Sequence, residues 1–164
     1  MSAASSVPSP GRSLRLLGIV LCSSPPVVLL AIVFVLPPGQ ALSLTTAGIV
    51  LALVLAGFVT AHVVGYTVAP LPPGLDEDEA RRRSVAAFQQ RMLLRFVVTE
   101  APVIASLALA FVVTQGPWPF ALAVIAGLPS MAYHVLVTDR TVQRVQAGLE
   151  AGGVRSYLPE ALAP

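Results

Sequence analysis

Five side chains have the types and spacing from which a buried acid–base site could be built: Glu100, His62, His134, Tyr66 and Tyr133. Glu100 is the one carboxylate inside any long apolar run of the chain. It lies five residues past Arg95, roughly 7.5 Å farther along a helix. His62 precedes Ala69 by seven residues, roughly 10 Å, and His134 precedes Asp139 by five, roughly 7.5 Å. Three ionisable groups on three helices thus reach one layer and could meet, with Tyr66 and Tyr133 as added hydrogen-bonding groups. Such a cluster could bind a proton or a polar substrate. Its competing reading is structural: an interhelical hydrogen bond, or Glu100 reaching back towards Arg95 and water.

The same groups bear on cofactors. Two histidines at one depth could ligate a haem, and His62, His134 and Glu100 have the ligand types for zinc or iron. No close-spaced ligand motif accompanies them, so no metal or cofactor is expected. The single Cys22 excludes an internal disulfide or a cysteine-pair metal site. No nucleophile–base pairing or glycine-rich phosphate loop suggests an enzyme.

The string Thr99-Glu100-Ala101-Pro102-Val103-Ile104, running on to Leu109-Ala110-Phe111, is similar to the proton-carrying helix of the ring-forming subunit c of rotary ATP synthases. The resemblance implies an ion-binding role for Glu100. It covers one helix of four; that family's glycine-repeat helix and polar Arg-Gln-Pro loop are missing here, so the chain is not assigned to it.

The elements that must position these groups follow from composition. The 164 residues are 55% hydrophobic and 11% charged, with a mean hydropathy of +0.81. A soluble domain carries about a quarter charged residues. Four apolar runs, about 14–36, 42–69, 92–114 and 118–137, are each long enough to cross a bilayer. All ten basic residues are arginines, and they partition. Arg12 and Arg15 flank the start of the first run; Arg81, Arg82, Arg83, Arg91 and Arg95 lie before or at the mouth of the third; Arg140, Arg144 and Arg155 follow the fourth. The connections at 37–41 and 115–117 hold no charge. Arginine near membrane ends stays cytoplasmic, so both termini are expected inside. The expected fold is all-α: an integral membrane four-helix bundle of two antiparallel transmembrane hairpins. The length and flanks of the first run argue for a span over a cleaved signal. The Arg, Ala and Gly usage suggests a bacterial plasma (inner) membrane. The net charge of +2 fits lipid headgroup contact and gives no case for nucleic acid.

Finer features complete the expectation. Residues 1–13 read as a disordered cytoplasmic segment. Pro25-Pro26 should kink the first helix. The second carries two stripes of small residues, Gly48/Ala52/Ala56/Thr60 and Gly57/Ala61/Gly65, which suggest central packing with neighbours on both sides. The third is extended by a cytoplasmic helix over 76–91, continuous or bent near Gln89-Gln90, with acid–base pairs Glu77–Arg81, Asp78–Arg82 and Glu79–Arg83. Residues 138–164 read as an amphipathic helix and a tail that is mobile unless a partner holds it. The expected role is a non-enzymatic accessory or assembly subunit working through helix contacts with a membrane-protein partner or further copies of itself. The alternative is proton or ion translocation through Glu100.

Overall fold

The computed structural model describes residues 9–163. Regular structure there is helical: α1 (Pro10–Val35), α2 (Leu44–Val64), α3 (Glu77–Val112), α4 (Trp118–Val135), α5 (Asp139–Leu149) and α6 (Leu158–Leu162), with a short 3-10 turn at Glu150–Gly152. The first four are long and apolar enough to cross a membrane.

Helix α1 begins earlier than expected. Pro10 takes the first helical position, where its missing N–H costs nothing, and Ser9 accepts from the Arg12 N–H. Residues 10–13 are therefore helical, and 1–8 lie outside the described residues. The helix runs unbroken through Pro25 and Pro26. Pro25 deprives the Leu21 carbonyl of its helical donor, and the Ser24 hydroxyl supplies one at 2.8 Å.

Helix α2 stops short of the expected residue 69, because the Gly65 carbonyl is taken by Arg95 instead of a following N–H. Helix α3 is one continuous rod of 36 residues, about 54 Å long, so 76–91 joins the third span without a bend into a separate helix. Asp76 caps it, accepting from the Glu79 N–H at 2.8 Å. Glu77–Arg81 and Glu79–Arg83 pair as expected, but Arg82 turns to Glu79 instead of Asp78. Glu79 offers one oxygen to each arginine. The fourth helix does not run straight on. Leu136–Thr138 break it, and a Thr138/Thr141 capping box starts α5.

Helix α4 packs on α1, α2 and α3; α2 also packs on α3, whereas α1 and α2 share no substantial contact. Although α1 and α2 are joined by a short turn, they are not packed as a hairpin. Only one small-residue stripe of α2 is used. Gly57, Ala61 and Gly65 are buried, while Gly48, Ala52, Ala56 and Thr60 lie exposed on another face. The expectation that α2 is central fails, and α4 takes that place.

The two uncharged turns meet at one end, where the Gln40 N–H donates to the Thr114 carbonyl at 3.0 Å. The opposite end gathers α5, α6 and the loop after α2, with Leu71 N–H donating to the Leu149 carbonyl. The core there includes Leu71, Phe88, Val145, Leu149, Leu158 and Leu162. The tail is thus held by its own chain: Leu158 and Leu162 bury against this core, and the Glu150 carboxylate accepts from Ser156 N–H (2.9 Å) and Oγ (2.7 Å).

Candidate functional site

Helix α3 buries a face built from Phe88, Met92, Arg95, Thr99, Val103, Ser106 and Ala110, spaced by threes and fours. Arg95 lies within that face and is wholly buried. Its Nε donates to the His134 carbonyl at 2.7 Å and its Nη1 to the Gly65 carbonyl at 3.2 Å. Both acceptors sit at helix C-termini, those of α4 and α2, where carbonyls lack helical donors. Each such end carries about half a negative charge, so two of them face one guanidinium. This explains how Arg95 sits buried with no carboxylate within 4.0 Å among the described residues.

Aromatic groups close the site. The Arg95 guanidinium carbon lies 4.5 Å from the Tyr66 ring centre and 5.7 Å from that of Phe88. The Tyr66 hydroxyl and His134 Nδ1 form a 3.1 Å hydrogen bond. The His134 ring lies edge-on to Tyr133 with centres 4.9 Å apart, and 6.0 Å from His62. Phe58 packs against His62, Tyr133 and His134. Two more cations lie on the tyrosines: Arg140 at 4.0 Å from the Tyr133 ring centre and Arg144 at 5.0 Å from that of Tyr66. Arg95 Nη2 and His134 Nε2 are buried without hydrogen-bond partners.

The structure therefore brings His134, Tyr66, Tyr133 and His62 together, with His62 on the exposed side of α2. It does not bring Glu100 to them. Glu100 faces α1, where the Ser24 hydroxyl lies 3.3 Å from its carboxylate. It lines a separate recess of about 180 Å³ with Pro25, Val28, Ile104, Leu107 and Phe120. Counting residues gives a depth along each helix but not a direction around it. Five residues rotate a helix about 140° past Arg95, away from the side on which Arg95 meets α2 and the C-terminus of α4. The His62–His134–Glu100 ligand set is thereby split, and no three His, Cys, Asp or Glu side chains converge on one point among the described residues.

The remaining arginines divide by environment. Arg81, Arg82 and Arg83 pair with acids on α3, and Arg155 pairs with Glu160. Arg12 and Arg15 are exposed near the start of α1. Arg95, expected to serve as a headgroup anchor with these, is instead the centre of the buried site. Its place three residues after Met92 and seven after Phe88 puts it in phase with the apolar stripe, a signal present in the sequence. As arranged, the cluster clamps α2, α3 and α4 at one level.

Compared with known protein families, curated proteins and solved structures, the chain matches none.

Proposed function

We propose that this is a multi-pass protein of a bacterial plasma membrane, a four-helix bundle with both termini cytoplasmic, acting as a non-enzymatic accessory or assembly subunit through helix–helix contacts. The observation that carries the reading is the bare ridge of α2. Gly48, Ala52, Ala56 and Thr60 form a four-residue repeat of small side chains, exposed on a face that no helix among the described residues covers. A Cβ added at Gly48 would meet nothing within 4 Å. Lipid tails gain little from such a surface, whereas another helix can approach its backbone closely. The arginine partition supports the orientation, since both charge-free turns meet at the end opposite the basic residues.

The test is co-purification in mild detergent with mass spectrometry, comparing the native chain with Ala52→Leu and Ala56→Leu. The native chain should carry a stable partner or a further copy of itself. Each variant should lose that complex at unchanged helicity and melting temperature. A native chain that purifies as a lone monomer overturns the reading.

One observation favours the alternative of proton or ion translocation: Glu100 lies in a recess beside Ser24 with no cation within 4.0 Å among the described residues. Glu100→Gln should retain the complex under the subunit reading. Loss of a proton-linked activity in that variant, with assembly intact, would favour translocation.

A further inference from the structure

A groove of about 450 Å³ runs between α2 and α4, lined by Leu51, Leu55 and Phe58 on one side and Ala126, Ser130 and Tyr133 on the other. It lies on a different face of α2 from the bare small-residue ridge. Its lining is apolar apart from the hydroxyl-bearing Ser130 and Tyr133. Ser130 is 8% exposed, and its Oγ has no hydrogen-bond partner. Seven residues separate Leu51 from Phe58 and Ala126 from Tyr133, so the groove follows each helix for about 10 Å. At one end stands Tyr133, with the Arg140 guanidinium over its ring. One turn along α5, Arg144 lies over Tyr66, and both tyrosine rings pack near His134. Neither arginine has an acidic partner within 4.0 Å among the described residues.

We propose that this groove and these two arginines hold one anionic phospholipid: an acyl chain lies against Leu51, Leu55, Phe58 and Ala126, and the phosphate meets Arg140 and Arg144. Each part of the site matches a part of that molecule. An apolar channel open to the bilayer takes a hydrocarbon chain. Two uncompensated guanidiniums, Arg140 over the tyrosine at the groove's end and Arg144 one turn along α5, take a phosphate, which arginine binds in its planar fork. Between them, one helical turn deeper than Tyr133, the unpartnered Ser130 hydroxyl lies where a glycerol ester carbonyl would accept its proton. Tyrosine rings beneath the guanidiniums hold the cations in place without neutralising them. The proposal needs the arginine end to lie at the headgroup layer, and it is independent of the subunit reading.

The test uses the full chain in mild detergent and native mass spectrometry, titrating phosphatidylglycerol and phosphatidylcholine. The expected result is a single phosphatidylglycerol adduct, formed about tenfold more tightly than that of phosphatidylcholine. Arg140→Gln and Arg144→Gln should each weaken it about fivefold. Arg155→Gln, which removes a distant ion-paired arginine, should leave it unchanged. Ala126→Phe fills the groove without altering charge and should abolish the adduct. Leu51→Trp, at the exposed rim, should do the same and decides the matter if Ala126→Phe fails to fold. Glycerophosphate, which has the phosphate but no chains, should not compete. Equal binding of the two lipids, an undiminished adduct in a folded groove-filling variant, or displacement by glycerophosphate would each overturn the proposal. Were the chain not a membrane protein, neither lipid would form a specific adduct, so that failure is distinguishable from loss of headgroup selectivity alone.

Discussion

Arg95 keeps a full positive charge out of water by meeting two helix ends instead of an acid. Removing its side chain would leave the His134 and Gly65 carbonyls buried without donors. Arg95→Gln should therefore destabilise the protein by about 3 kcal/mol. Arg95→Lys should recover only part of this, since an ammonium lacks the fork that reaches both acceptors. Thermal melting in detergent followed by circular dichroism measures both; a glutamine variant as stable as the native chain would contradict the clamp. At this scale the sequence was half legible. Expected depths for His62, His134 and Glu100 follow from counting residues to the nearest charge. Azimuth does not, because it needs the identity of the neighbouring helix on each side. Arg95 reads as a headgroup cation by type, but its phase with Phe88 and Met92 places it on the inward face.

Among the elements, α2 shows how one sequence pattern can serve two purposes. Gly57 is needed where α2 meets α3: a Cβ there would stand 2.7 Å from Pro102 Cγ and 3.0 Å from the Val98 carbonyl oxygen. Gly57→Val should push the helices apart and destabilise by about 1–3 kcal/mol in the same melting assay, whereas Ala56→Leu on the bare ridge should not. Both stripes look alike in sequence, and only the tertiary fold separates the used one from the free one.

The α5–α6 junction adds a pH dependence. Partial burial opposes ionisation of Glu150, but hydrogen bonds from Ser156 Oγ and N–H and from Gln146 outweigh it and hold the carboxyl below its ordinary value. A depressed folded-state pKa stabilises above the unfolded value and ceases to do so as pH falls through the folded one. Docking of residues 153–162 should be firm near neutrality and loosen below about pH 4. Glu150→Gln should show the loosened state at neutral pH. Amide hydrogen exchange at Ser156 and Leu158 reads this out; exchange that is flat with pH in the native chain would count against it. The tail's docking is not legible in the sequence, because Leu158 and Leu162 are too few to announce an amphipathic helix.

For the whole molecule, the charge partition can be checked at Gln40, which is exposed in the turn after α1. Gln40→Cys should react with a membrane-impermeant maleimide on intact cells, while Arg155→Cys should react only after lysis. The reverse pattern would invert the orientation. The four long helices were readable from hydropathy alone, since a run of about 20 apolar residues has few other uses. Their adjacency was not, because short connections suggest that consecutive helices pair, and here α1 and α2 do not.

That absent pairing has a bearing on biosynthesis. The first two helices leave the ribosome with no interface between them to form, and each finds its main partners only in the half of the chain made afterwards. The last long helix to be synthesised is the one that every earlier helix contacts. Helix α2 can begin to pack as soon as α3 is made, but α1 must wait in lipid, or in the care of the insertion machinery, until α4 arrives to gather it.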